Sequence, residues 1–513
     1  GVRGRGASGG HAPKKRHYKL QHTAKMETIT ATQTLNYIAG KLVGSQSEQF
    51  SEVISPLDGR VLSQVLHSTA DDVDSAVQAA QKAFPAWSNL TLKERVQVIF
   101  RFRTLLETHR AELIELVHTE NGKTRDEAAA EVDKGIELCE FACSLPQIVH
   151  DEVQEVSRGV ECRTTHTPLG VVASIVPFNF PLMVPMWTIP NAIALGNCMV
   201  LKPSELVPLS SMRLAELLKQ AGLPDGVFNV VNGGREVVEA ICDHPQIKAV
   251  SFVGSTNVAK IVYRRSTSNL KRCAALGGAK NHLIVLPDAH VEMTASNVAA
   301  SMSGCAGQRC MAASAMLAVG SVDHIIARLC DEARKIVPGE NLGAVISAAA
   351  KARIERYITE AEQAGAKILV DGRNHTVKGK EGGFYVAPTV IDYVTPEMSV
   401  AREEIFGPVI SILRTQTIDE ALQIENANPY GNAAAVFTQS GAWARYVAER
   451  ASAGMIGVNV GVPVPREPFS FGGWNDSKFG AHDITGKSSI DFWTQLKKTT
   501  TKWNAEARVN WMS

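Results

Sequence analysis

No Cys-x-x-C pair, no clustered histidine and cysteine, and no apolar run long enough to span a bilayer occurs in this chain of 513 residues. The nine cysteines are odd in number, scattered, and mostly set inside apolar runs, which argues against a disulfide framework or a zinc site and for a reducing compartment. A net charge of +1 gives no overall electrostatic reason to expect nucleic acid or an anionic membrane as partner. The ordinary dinucleotide fingerprint G-x-G-x-x-G is missing from the strand-to-helix turn around Gly254, where a phosphate would otherwise be expected to sit.

Charge is unevenly spread. Residues 1–25 hold seven Lys/Arg and no acid, against 46 basic and 52 acidic residues in the remainder. This stretch reads as a disordered basic leader ahead of Met26. An organelle-targeting peptide would share its Arg-rich, acid-free character, so the expected location is the cytoplasm, or the mitochondrial matrix if the leader is a targeting segment.

At this length one hydrophobic core does not suffice, and two or three domains are expected. Residues 70–134 carry helical periodicity, with Thr91-Leu92-Lys93-Glu94 as a capping box. After Pro168 short β-branched runs alternate with helical ones: 170–176, 199–201, 228–231 and 249–253 as strands, 210–222 and 235–242 as helices. Continuous apolar strands separated by helices indicate a parallel sheet covered on both faces, which binds ligands beyond its carboxyl edge. The alternation restarts after Gly277-Gly278, with strands at 282–286, 315–319, 367–370, 409–413, 434–437 and 455–460 and helices at 322–337 and 348–366, so a second α/β unit is expected. Residues 151–165 and 490–496 alternate like exposed strands and invite pairing with another subunit.

The chemistry starts at Gly307-Gln308-Arg309-Cys310-Met311. A thiol turns nucleophilic when cationic charge or backbone N–H groups favour its thiolate, and Arg309 with the glycine turn is suited to supply both; the competing reading is a buried cysteine acting as a small hydrophobe. Asn179, in Pro177-Phe178-Asn179-Phe180-Pro181, follows the first strand and can donate to a developing oxyanion, or can simply be a turn residue. Lys202 and Glu205 end the next strand, suited to ribose hydroxyls or to a solvated ion pair. Gly254-Ser255-Thr256 opens a helix whose N-terminus can hold a phosphate, or is an ordinary cap. In Glu403-Glu404-Ile405-Phe406-Gly407-Pro408 a carboxylate can hold a second ribose and the ring can border a flat heterocycle, with a solvated acidic face as the alternative.

Taken together, in this order and spacing, Pro177-Phe178-Asn179, Lys202-Pro203-Ser204, Phe252-Val253-Gly254-Ser255-Thr256, Gly307-Gln308-Arg309-Cys310 and Glu404-Ile405-Phe406-Gly407-Pro408 resemble the aldehyde dehydrogenase superfamily over about residues 35–505. Within it, 278–282, 307–311, 428–432 and 462–465 look like the CoA-acylating methylmalonate-semialdehyde dehydrogenase branch. The resemblance implies an α/β fold of two Rossmann-like parallel-sheet domains plus a small β oligomerisation arm. Its NAD-binding domain would take 26–150 and 166–276, its catalytic domain 277–485, and its arm 151–165 and 486–513, with a homodimer or homotetramer as the assembly. Carried over by position, Cys310 is the nucleophile and Asn179 an oxyanion donor. Phe178, Lys202, Glu205, Gly254, Ser255, Glu404 and Phe406 contact NAD, and no metal is used.

One departure matters most. Hydrolytic members of the superfamily carry a Glu two residues before a Gly-Gly-Lys run, which deprotonates the water that breaks the acyl-enzyme; here Gly278-Ala279-Lys280 puts Leu276 at that place. A thioester without a water activator is resolved by another thiol, so the expected cosubstrate is CoA and the expected partners are a small aldehyde and CoA, with neither nucleic acid nor membrane. The branch usually holds the substrate carboxylate with an Arg where Lys134 stands and with the Arg matching Arg309. A lysine neutralises a carboxylate but cannot clamp it through a planar fork. A hydrolytic aldehyde dehydrogenase with another base, and a non-catalytic protein on the same scaffold, are the alternatives.

Overall fold

The computed structural model describes residues 33–503. The leader 1–25 and the end of the expected arm, 504–513, lie outside the described residues.

Helices Ala70–Ser88, Leu92–Thr108, Arg110–Asn121 and Arg125–Ile148 follow a small three-stranded sheet. The capping box read at Thr91 and Glu94 is present: the Thr91 hydroxyl accepts from the Glu94 N–H, and the Glu94 carboxylate accepts from the Thr91 N–H. The first large sheet has eight strands in the order 478–479, 272–276, 247–253, 171–175, 198–202, 228–230, 36–38, 41–43. Its centre is parallel, and strands Val171–Ile175 and Cys198–Lys202 are buried at every position, as helices on both faces require. Both edges are antiparallel: Asn36–Ile38 and Lys41–Val43 close one, and Lys478–Phe479 closes the other against Arg272–Leu276. These two- and three-residue strands are too short to show a period, which is why the sequence pattern missed them. The chain thus returns to the first sheet at residue 478, inside the segment expected to belong to the second unit.

The second sheet has seven strands in the order 367–370, 389–392, 409–415, 313–319, 281–285, 433–437, 455–458, parallel except for its first pair. From Ala315 onward, alternate residues of strand Ala313–Val319 enter two separate cores, Ala315, Leu317 and Val319 on one face and Met316 and Ala318 on the other. A third sheet places Val160–Pro168 between Glu152–Ser157 and Thr494–Lys502, all antiparallel and largely exposed.

One expected strand is corrected. Residues 490–493 lie in a short helix, Ser488–Trp493, and the arm strand starts only at Thr494. Ile490, Phe492 and Trp493 are buried in the first core and Asp491 is exposed, so the apparent period of two marked the inner and outer sides of a single short helix.

Register decides where the site lies. In the first sheet Ile175 pairs with both Lys202 and Phe252, so the segments leaving these strands, 176–181, 203–205 and 254–256, emerge along one carboxyl edge. In the second sheet Asn281 pairs with Ala313, His282 with Ala434, and Thr389 with Val409. The segments entering those strands, 307–312, 404–408 and 432, therefore share its amino edge. The site forms where these two edges meet.

Candidate active site

Cys310 is half-buried between two cavities. On one side is a small recess shared with Ala279, Glu404, Phe406 and Gly407. On the other is a cleft of about 800 Å³ whose wall includes Phe180, Trp187, Met311, Val462 and Phe471. Its turn is held from the second sheet, since the Asn281 Nδ2 donates to the carbonyls of Cys310 (2.7 Å) and Ala312 (2.9 Å), and the Asn432 Nδ2 donates to the Cys310 carbonyl at 2.8 Å. Gly307, at φ +72°, lies so close to the Gly407 carbonyl that any Cβ would collide with it, and this joins the nucleophile turn to the 404–408 loop.

Asn179 reaches the same turn. It is buried, and its Nδ2 donates to the Gln308 carbonyl at 2.9 Å. Its own carbonyl accepts from the Lys123 Nζ at 2.9 Å, and that ammonium forms a fully buried ion pair with Glu131 at 2.5 Å. Glu131 also accepts from the N–H groups of Leu182 and Met183 at 2.9 and 3.0 Å, where helix Met183–Ala194 begins. Lys123 and Glu131 therefore fix the loop that carries Asn179 at Asn179 itself and at its carboxyl end.

The electrostatics correct one expectation. Burial pushes the Cys310 thiol up to about 12, and the neighbouring Glu404 adds to this; the Cys310 and Met311 N–H groups and Arg309 oppose it without prevailing. Arg309 is anchored to the backbone away from the sulfur, its Nη2 donating to the carbonyls of Ala300 (2.9 Å) and Ser301 (3.1 Å) beside Gly304. Burial also pushes Glu404 up to about 7, even though its Oε1 accepts from the Ala279 N–H at 3.0 Å. Burial pulls Lys280 down to about 7, and its Nζ has no hydrogen-bond partner among the described residues.

Of the expected cofactor contacts, Glu404 and Phe406 line the recess. Phe178 and Phe406 meet edge to face at 5.8 Å, bringing the 177–181 and 404–408 loops together. Lys202 is buried and donates to Glu205 at 3.0 Å. Burial works against the Glu205 carboxylate, but Lys202 holds it below its ordinary range. Gly254 donates its N–H to the Leu276 carbonyl at 3.1 Å, and a Cβ there would press on the Phe252 ring. Ser255 is exposed at the start of helix Thr256–Ser268 and makes no side-chain cap bond, leaving its hydroxyl and the helix N–H groups for an anion. An uncommitted helix terminus, a carboxylate–ammonium pair and an aromatic border suit a dinucleotide. Leu276 is buried and paired in register with Lys478.

Lys134 lies in the cleft wall, but its ammonium is already held by Glu467 at 2.5 Å and Glu137 at 2.9 Å. Sequence reasoning missed this pairing. It also missed the Lys123–Glu131 clamp and the parts played by Asn281 and Asn432, although the last two stand inside motifs it had singled out.

The aldehyde dehydrogenase family model matches residues 42–499. The chain belongs to this family. Among its relatives, malonate-semialdehyde dehydrogenase 1 of Geobacillus kaustophilus is 45% identical over 476 residues, covering 91% of this chain and 97% of the relative. The Bacillus subtilis malonate-semialdehyde dehydrogenase is 43% identical over 478 residues, covering 92% and 98%. The crystal structure of methylmalonate-semialdehyde dehydrogenase (DddC) from Oceanimonas doudoroffii superposes with a TM-score of 0.91 at 42% identity, covering 92% of this chain and 99% of that one. A dehydrogenase structure from Sinorhizobium meliloti 1021, complexed with NAD, gives 0.90 at 40% identity, covering 92% and 98%. This dehydrogenase also has, among its described residues, no helix long and apolar enough to cross a membrane and no cluster of three or more His, Cys, Asp or Glu able to hold a metal.

Proposed function

We propose that this aldehyde dehydrogenase oxidises malonate or methylmalonate semialdehyde with NAD, and passes the acyl group, after decarboxylation, to CoA. The observation that carries the acyl transfer is Leu276: an apolar, buried side chain stands where hydrolytic members of the family hold the water-activating carboxylate. Malonate- and methylmalonate-semialdehyde dehydrogenases at 42–45% identity over more than nine-tenths of the chain support the substrate class, and the S. meliloti complex supports NAD.

In this reading the Cys310 sulfur adds to the aldehyde carbon. The second N–H of the Asn179 amide and the backbone N–H at Cys310 take the negative oxygen, while Lys123 and Glu131 keep Asn179 in place. NAD, when bound against Lys202, Glu205, Ser255 and Glu404, accepts a hydride from that carbon. Cys310 then carries a thioester whose β-carboxylate leaves as carbon dioxide; the electron pair enters an enolate that the same donors hold, and a proton returns to carbon. The thiol of CoA displaces Cys310 and releases acetyl- or propionyl-CoA. A homodimer or homotetramer built through the 152–168 and 494–502 strands, and residence in the cytoplasm or mitochondrial matrix, belong to the same proposal.

Steady NADH formation from methylmalonate semialdehyde is expected to require CoA, with propionyl-CoA identified by mass. Equal rates without CoA, with a free acid as product, would overturn the reading. That outcome would favour a hydrolytic cycle using Glu404, the half-buried carboxylate that acts on Cys310.

A further inference from the structure

We infer that Arg466 takes over the seating of the substrate carboxylate beside Arg309, because Lys134, the other position from which the family's pattern would hold it, is withdrawn by Glu467. The inference rests on the semialdehyde reading above and concerns which side chains of the cleft select an anionic substrate.

Three cations line the cleft: Lys134, Arg309 and Arg466. Lys134 faces two carboxylates, Glu467 at 2.5 Å and Glu137 at 2.9 Å, and the Lys134–Glu467 pair is only 19% and 11% exposed. One ammonium between two carboxylates leaves a corner of net charge about −1, which repels a third carboxylate more strongly the less water reaches it. The other acids of the cleft are engaged. Glu131 pairs with Lys123, Asp133 with Arg110 at 2.6 Å, and Glu127 accepts from the Cys305 N–H at 2.6 Å.

The two guanidiniums differ from Lys134. Arg309 donates only to the neutral carbonyls of Ala300 and Ser301, so its charge is not cancelled, and its buried Nε has no partner among the described residues. Arg466 is exposed on the 464–467 wall of the same cleft and makes no ion pair among the described residues. A planar fork suits a carboxylate better than an ammonium does, and here the forks carry the unspent charge. Arg466 and Glu467 are neighbours in the chain, so one segment both removes the lysine and supplies its replacement.

The test uses the full-length enzyme with NAD and CoA, comparing malonate semialdehyde with uncharged propanal. Arg466→Gln is expected to raise KM for malonate semialdehyde roughly tenfold or more while leaving KM for propanal and kcat for propanal unchanged, and Arg466→Lys is expected to recover part of the loss. Glu467→Gln, by releasing Lys134, is expected to lower KM for malonate semialdehyde alone. An unchanged KM for the semialdehyde in Arg466→Gln, or an equal rise for both aldehydes, would overturn the inference and leave the function standing. A wild-type enzyme preferring propanal would overturn the function and the inference with it.

Discussion

The two sides of Cys310 manage charge in opposite ways. In the cleft, Glu131, Asp133, Glu137 and Glu467 have cationic partners at close range, as in Lys123–Glu131 and Lys134–Glu467. On the recess side, Glu404 is half-buried in the wall and Lys280 is buried, and each is pushed towards neutrality at about 7, with no ion pair joining them among the described residues. Paired buried charges fix geometry and resist change; unpaired buried groups near neutrality respond to whatever charge comes close. The cleft side is thus built to hold a loop and a shape, and the recess side to respond electrostatically.

The sharpest way to break this contrast is to unpair the cleft. Lys123→Met leaves Glu131 as an uncompensated buried carboxylate and should cost about 3–5 kcal/mol in denaturant unfolding. Pairing it with Glu131→Leu should return most of that stability, yet kcat should stay low, because the Asn179 carbonyl has lost its donor. Full recovery of kcat in the double variant would show that the clamp does nothing for Asn179.

On the recess side the contrast can be sharpened by pH. The cofactor-free enzyme should be alkylated by iodoacetamide at a rate that climbs with pH towards the Cys310 value of about 12. Glu404 is charged above about 7 and neutral below it, so its charge hinders thiolate formation only above that point. Glu404→Gln should therefore speed alkylation at pH 8–9, by about tenfold for each pKa unit relieved, and the advantage should fade below pH 7. A ratio independent of pH would separate Glu404 from the thiol.

The smallest effect is expected at the turn itself. Asn432→Ala removes one of two amide donors to the Cys310 carbonyl and should cost about 1 kcal/mol of stability with a modest fall in kcat, since Asn281 keeps the other.

Sequence alone went furthest where a strand ends in a chemically marked turn. Cys310, Asn179, Lys202, Gly254 and Glu404 each stand next to a strand whose apolar run was plain, and register brings all of them to the two facing edges. It failed where the cause is non-local. The Lys134–Glu467 pair joins residues 333 positions apart, and Lys123 meets the Asn179 carbonyl across 56. The short helix Ser488–Trp493 was misread for a different reason, because six residues cannot distinguish a period of 3.6 from one of 2.

Closure of the first sheet by Lys478–Phe479 has a consequence for biosynthesis. Strand Arg272–Leu276 leaves the ribosome roughly 200 residues before the partner that covers its outer edge. At about 5–20 residues per second, that row of peptide groups waits roughly 10–40 s without its cap, an interval in which a nascent chain is open to stray β-pairing.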